Sequence, residues 1–84
     1  MMKVAYPIVL IPAETGFVVY IPDFDINTQG HNYDNAIYMA KDAIRLMMID
    51  LEADGRSIPS PSAIESVEHA EGETVILVDV VFDE

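Results

Sequence analysis

The feature that most constrains the fold is a change in hydrophobic period near the middle of the chain. From residue 33 onward, apolar residues recur at intervals of three and four, which places them on one side of an α-helix. A helix that is apolar on one side needs a second layer to cover that side. The periodic positions are Tyr33, Ala36, Ile37, Ala40, Ile44, Met47, Met48 and Leu51.

Three residues mark where this helix begins and ends. Asn32 suits the N-cap, because its side chain can accept a hydrogen bond from a backbone N–H that has no partner within the helix. Asp34 would lie near the positive end of the helix dipole. Gly55 can adopt the left-handed conformation that ends many helices. The sequence therefore predicts one long helix between Asn32 and Gly55.

The segments on either side of the helix read as strands. Residues 4–11 and 17–21 are rich in β-branched residues, and the polar loop between them ends in Gly16, which is typical of an antiparallel hairpin. Residues 26–29 form a weaker third strand, and residues 74–82 form the last one. Pro7 has no N–H to donate, so it must occupy an edge or a position without a ladder bond.

The prolines after the helix exclude a regular helix or central strand there. Ser60 could cap a short second helix with Pro61 at its first position. The predicted order is β-β-β-α-α-β, an α+β fold in which the long helix covers one face of a small antiparallel sheet. At 84 residues, the chain is predicted to be a single domain spanning 1–84.

The last predicted strand is apolar on both faces. One face carries alternating apolar residues from Ile76 to Phe82, and the other carries Val75, Leu77 and Val81. Such a strand is either central or covered on its second side by another chain. We therefore predict that Val75, Leu77 and Val81 form the interface of a homodimer or higher homo-oligomer.

The charge of the chain restricts its partners. Fifteen acidic residues against four basic ones give a net charge of −11. Nucleic acids and anionic membranes would repel such an acidic protein, whereas a basic macromolecule would be attracted. Solubility alone would also account for the excess acid.

No stretch approaches the roughly 20 apolar residues of a membrane helix. The absence of cysteine fits a cytoplasmic protein.

The sequence contains few candidate catalytic residues. Asp23 and Asp25 are close enough in sequence to share a divalent cation, but a turn that presents carboxylates outward explains them equally well. Histidine is the residue type that most often transfers protons near neutral pH, but neither His31 nor His69 lies beside a nucleophile in the sequence. The glycines are too dispersed to form a phosphate-binding loop. We predict a binding module that is not an enzyme and needs no cofactor or metal.

The order of several short motifs resembles the N-terminal domain of HicB-type antitoxins. Each motif alone is unspecific, but their order and spacing are distinctive, and the resemblance spans about the whole chain. The motifs are Tyr6-Pro7, residues 16–19 (GFVV), 22–24 (PDF) and 28–30 (TQG), the alanines Ala36, Ala40 and Ala43, and residues 58–62 (IPSPS).

This resemblance implies a trimmed ribonuclease H-like fold without working catalysis. It also implies a toxin-antitoxin system in which the domain neutralises a HicA-type toxin, a small mRNA-cleaving protein, by covering its basic RNA-binding surface. We predict that Asp23, Asp25, Asp34 and Asp42 contact this toxin, on the basis of charge and expected exposure. A residual metal-dependent nuclease and an orphan protein-interaction domain are the alternatives.

Two departures from the family pattern lead to further expectations. The sequence finishes directly after the last strand without the usual basic helical segment, so we expect no C-terminal DNA-binding domain and no direct nucleic-acid binding. Asn35 stands where the family tends to have a glutamate, which is expected to weaken the capping box at the helix start. Gly30 is expected to relieve the turn into the helix.

Overall fold

The computed structural model describes residues 2–82 and confirms the predicted α+β fold. One four-stranded sheet has the order β3-β2-β1-β4, and every neighbouring pair is antiparallel. A single long helix covers one face. The elements are β1 (Met2–Pro12), β2 (Phe17–Ile21), β3 (Ile26–Gly30), α1 (Tyr33–Ala53), a 3-10 helix (Ile64–Ser66) and β4 (Thr74–Phe82).

The hydrophobic core lies between α1 and the sheet. The helix contributes buried residues at intervals of four, which is the side predicted from the periodicity. The sheet contributes alternate residues of β1, β2 and β4, as the pleat requires. The buried core residues are Tyr6, Ile8, Leu10, Val19, Ile21, Ala36, Ala40, Ile44, Met48, Val78, Val80 and Phe82.

Both ends of α1 are capped by local hydrogen bonds. At the start, the Asn35 N–H donates to Asn32 Oδ1 at 2.8 Å, and the His31 N–H donates to Asn35 Oδ1 at 3.0 Å. Asn35 therefore takes part in a reciprocal cap at the helix start. The expected weakening of this cap relative to glutamate stays a prediction. At the other end, Gly55 has a φ of +68°, and its N–H bonds the Glu52 carbonyl, as in a Schellman motif.

Gly30 has a different role from the one expected. Its φ is not positive, so it is not needed for a left-handed turn. A Cβ at this position would overlap the backbone of Ala36, in the first turn of α1. Gly30 therefore permits the close approach of α1 to the end of β3. Gly16, with a φ of +81°, packs against the same place.

A long connection joins α1 to β4. The helix starts beside Gly30 and runs back along the sheet, whereas β4 begins opposite Leu10, near the β1–β2 loop. The connection must therefore return along the length of the sheet. The short helix expected after Ser60 is only the 3-10 turn Ile64–Ser66, which has no side-chain cap.

The register explains how Pro7 fits inside a central strand. The Ala13 N–H donates to the Gly16 carbonyl at 3.0 Å, so odd-numbered residues of β1 direct their backbone groups toward β2. Val9 pairs with Tyr20, and β2 ends at Ile21, so Pro7 faces no partner in β2. Its missing N–H removes no ladder bond. The even-numbered residues of β1 correspondingly bond β4.

Candidate protein-interaction surfaces

A group of side chains pins the long connection to the sheet. Asp23, in the β2–β3 turn, accepts two hydrogen bonds from Ser62, one from its N–H at 2.9 Å and one from its hydroxyl. The Tyr6 hydroxyl donates to the Pro59 carbonyl at 2.7 Å. The rings of Tyr6 and Phe24 meet edge to face, with centroids 5.0 Å apart. We call these five residues the clasp.

The clasp uses the residues that carry the family resemblance. Phe24 belongs to the PDF motif and Pro59 to the IPSPS motif, and both contact Tyr6. Tyr6 is buried, and burial raises the pKa of its hydroxyl, with a smaller contribution from the negative charge of Asp23. These motifs therefore hold the connection in place, and the half-buried Asp23 carboxylate faces Ser62.

Asp25 is the last residue of the same turn. The Phe24 N–H donates to the Ile21 carbonyl at 3.2 Å, and the Asp25 N–H donates to the Pro22 carbonyl at 3.1 Å. Asp25 has a φ of +52°, which aspartate tolerates better than most residues. Its Oδ1 accepts a hydrogen bond from the Tyr20 hydroxyl at 2.8 Å, and that bond raises the pKa of Tyr20. This confirms that the segment is a turn.

The four aspartates predicted to contact a toxin do not form one patch. Asp23 and Asp25 lie in the β2–β3 turn, whereas Asp34 lies in the first turn of α1, at the opposite end of β3. Asp42 lies near the middle of the helix and is half-buried. The role of these residues in toxin contact stays a prediction.

A second apolar stripe runs along the side of α1 that faces away from the sheet. Tyr38, Leu46 and Ile49 are 66%, 56% and 49% exposed. Asp42 lies between Tyr38 and Leu46 in sequence, four residues from each, and Ile49 follows Leu46 by three residues. Residues at these spacings are neighbours on the helix surface. We call these four residues the helix stripe. The sequence reasoning missed Tyr38, because it followed mainly the periodicity of the core side.

The strand β4 forms one edge of the sheet, and it is not central. Its even-numbered residues pair with β1, so Val75, Leu77, Asp79 and Val81 direct their backbone groups outward. Arg45 confirms this direction, because its Nε donates to the Val81 carbonyl at 3.3 Å. Leu77 and Val81 are 50% and 43% exposed, and Val75 is half-buried. The residues predicted for an oligomer interface thus lie together on one free edge.

The histidines occupy ordinary surface positions. His69 Nδ1 lies 3.2 Å from the Val67 carbonyl oxygen, and His31 lines an open depression of about 390 Å³ between the β1–β2 loop and the start of α1. Within residues 2–82, no three His, Asp or Glu side chains are grouped as metal ligands would be. Over the same residues, no helix is long and apolar enough to cross a bilayer.

Comparison with known proteins gives consistent matches. A family model described as the HicB_like antitoxin of bacterial toxin-antitoxin system matches residues 6–84. No curated protein matches the sequence. Among solved structures, a chain of a toxin-antitoxin complex from Streptococcus pneumoniae is 22% identical with a TM-score of 0.84, and the match covers 95% of this chain and 70% of that one.

Two further structures extend this result. The Burkholderia pseudomallei antitoxin HicB is 24% identical with a TM-score of 0.76, and the match covers 93% of this chain and 62% of that one, so this chain spans less than two thirds of its length. A chain of the HicA3 and HicB3 toxin-antitoxin complex is 26% identical with a TM-score of 0.69, and the match covers 95% of this chain and 99% of that one. The two matches below 25% identity show the fold.

Proposed function

Because this chain belongs to the HicB-like antitoxin family, we propose that it neutralises a small basic HicA-type toxin by covering the toxin's RNA-binding surface. The observation that carries this proposal is the family match over residues 6–84, nearly the whole chain. A chain of similar length in a complex of HicA3 with HicB3 supports the choice of partner.

The charge of the chain supports the same partner. A net charge of −11 attracts a basic protein over long range and raises the rate of encounter. It also disfavours RNA as a competing ligand, because phosphates would be repelled. As part of the proposal, the chain works in the cytoplasm, where an mRNA-cleaving toxin would act, and it has no reaction of its own.

The helix stripe is the surface that fits a toxin best. Interfaces commonly have an apolar centre with an aromatic residue and a charged rim. Tyr38, Leu46 and Ile49 supply such a centre, and the half-buried Asp42 lies within it. Asp34 is exposed at the start of the same helix. Asp23 suits this role less well, because its carboxylate already accepts two hydrogen bonds from Ser62.

Co-purification and inhibition assays test the proposal. The probe is the product of a short, basic reading frame beside the gene for this chain, purified alone and mixed with the 84-residue protein. We expect a stable complex and loss of RNA cleavage at a fixed ratio of the two proteins. RNA cleavage that continues in the presence of excess chain would refute the proposal, as would cleavage by the chain itself.

We further propose that residues 1–84 act as a single domain that self-associates through β4. The exposed side chains of Leu77 and Val81, beside the half-buried Val75, support a homodimer at this place. A chain of this size has a modest core, so burying apolar surface between two copies would add stability. Sedimentation at increasing concentration tests whether dimers form.

A further inference from the structure

We infer that two copies of this chain join edge to edge along β4, antiparallel, with Leu77 of one copy opposite Leu77 of the other. The inference rests on the self-association proposed above and adds to it the bonding groups and the register. It requires no toxin, so it can be tested separately from neutralisation.

The first step is the state of the β4 edge. The backbone N–H and C=O groups of Val75, Leu77 and Asp79 point away from β1, at the end of the sheet. Proteins usually protect such edges with lysines, prolines, bulges or a covering segment. Along Thr74–Phe82 there is no proline, and the one charged residue is Asp79. This edge is therefore ready to pair with another strand.

The second step is the length of edge that remains free. Arg45 donates its Nε to the Val81 carbonyl, so the C-terminal end of the edge already has a partner from α1. Within residues 2–82, the outward residues without such a partner are then Val75, Leu77 and Asp79, and the middle one is Leu77. Pairing centred on Leu77 matches Val75 with Asp79 and Leu77 with itself, so each of these residues meets one that is also free.

The third step excludes the neighbouring registers. Centring the pair on Asp79 would place two Asp79 carboxylates opposite each other, and like charges directly opposite are destabilising. Centring it on Ile76 would place Asp79 opposite Glu73, with the same result. Centring it on Val78 would bring Val81 into the ladder and displace Arg45 from its carbonyl.

The occupant that fits this edge is a second copy because the edge is complementary to itself. In the Leu77 register, the two half-exposed leucines cover each other on the face of the sheet opposite α1, and a two-fold axis repeats every contact. The negative charge of each copy opposes this association. Salt should therefore strengthen the dimer, because screening shortens the range of that repulsion.

Single-cysteine cross-linking tests the register. The chain has no cysteine, so Leu77→Cys introduces the sole thiol. In the proposed register the two 77 positions are about 5.5 Å apart between Cα atoms, within the range of a disulfide. Val75→Cys and Val81→Cys are the controls, because two copies of residue 75 would lie about four residues apart, roughly 14 Å, and residue 81 farther. We expect covalent dimer for Leu77→Cys and little for the controls.

A proline substitution tests whether the backbone makes the contact. Val75→Pro removes an outward N–H without removing a bond to β1, whereas Val75→Thr keeps that N–H and a similar shape. We expect Val75→Pro to reduce dimerisation at least tenfold and Val75→Thr to leave it nearly unchanged, with both variants folded by circular dichroism.

The results separate the inference from the proposals on which it rests. A chain that sediments as a monomer at high concentration in 0.5 M salt overturns both self-association and the register. A dimer that survives Val75→Pro, or that cross-links best through Val81→Cys, overturns the edge pairing but leaves self-association standing. If the β4 edge forms no dimer of this chain and is bound only after a toxin is added, the second copy is refuted as the partner of this edge. In each case the neutralisation assay stays an independent result.

Discussion

The substitution Asp23→Ala, in the clasp, is predicted to lower the stability of the fold. This change removes the carboxylate that accepts two hydrogen bonds from Ser62, and it leaves a half-buried N–H without a partner. A hydrogen bond to a charged group contributes about 1.5–3 kcal/mol, and an unsatisfied buried donor costs about 1–3 kcal/mol. Because the site is only half-buried, we expect the free energy of unfolding to fall by about 2–3 kcal/mol.

That loss is large for a chain of this size. Typical stabilities of about 0.05–0.15 kcal/mol per residue correspond to about 4–13 kcal/mol for 84 residues. At about 4–8 °C per kcal/mol, the midpoint of thermal unfolding should fall by about 8–24 °C. Urea unfolding followed by circular dichroism would measure the free energy, and differential scanning calorimetry would measure the midpoint.

Two variants make the measurement specific. Ser62→Ala keeps the N–H bond and loses only the hydroxyl bond, so it should cost about 1 kcal/mol, and the double variant should show strong coupling between the two positions. Glu71→Ala removes one charge from an exposed loop residue and should change stability by less than about 0.5 kcal/mol. If Asp23→Ala proved no more harmful than Glu71→Ala, the reasoning about the clasp would be refuted.

Three other measurements bear on separate features. Leu46→Lys should weaken toxin binding at least tenfold, because it places a cation in the helix stripe. Val18→Lys, on the other face of the sheet, should leave toxin binding nearly unchanged. Equal effects of the two variants in calorimetric titration would contradict the assignment of the helix stripe as the toxin-binding surface. Gly30→Ala should lower the unfolding midpoint sharply because its methyl group overlaps the backbone of Ala36, and a midpoint near that of the wild type would contradict this packing. Stability should fall as the pH rises above about 10, since the raised pKa of Tyr6 favours the neutral hydroxyl in the fold and that contribution is lost as the hydroxyl ionises. Tyr6→Phe should reduce this alkaline loss in pH-dependent urea unfolding, and an unchanged slope would count against it.

The sequence predicted the elements whose causes are local. The three- and four-residue spacing predicted the side of α1 that is buried, and Asn32 and Gly55 predicted its two ends. These features depend on residues within a few positions of one another. The same holds for the hairpin of β1 and β2, whose loop ends at Gly16.

The features that sequence reasoning missed depend on distant contacts. Asp23 and Ser62 are 39 positions apart, so the exposure of Asp23 could not be read from its own neighbours. The position of β4 at the edge follows from its pairing with β1, which no local pattern specifies. Gly30 was assigned to a turn because glycine often serves there, whereas the approach of Ala36 is the physical reason for it.

The pairing of β1 with β4 also has a consequence for synthesis. Met2 lies opposite Phe82, so the central strand β1 gains its second neighbouring strand only after residues 74–82 have been translated. A ribosome-bound chain lacking residues 74–82 exposes an unpaired side of β1 for most of its elongation, and contacts so far apart in sequence form slowly. Arrested nascent chains should therefore become resistant to protease only after residues 74–82 have left the exit tunnel, so that the appearance of folded protein follows the synthesis of β4.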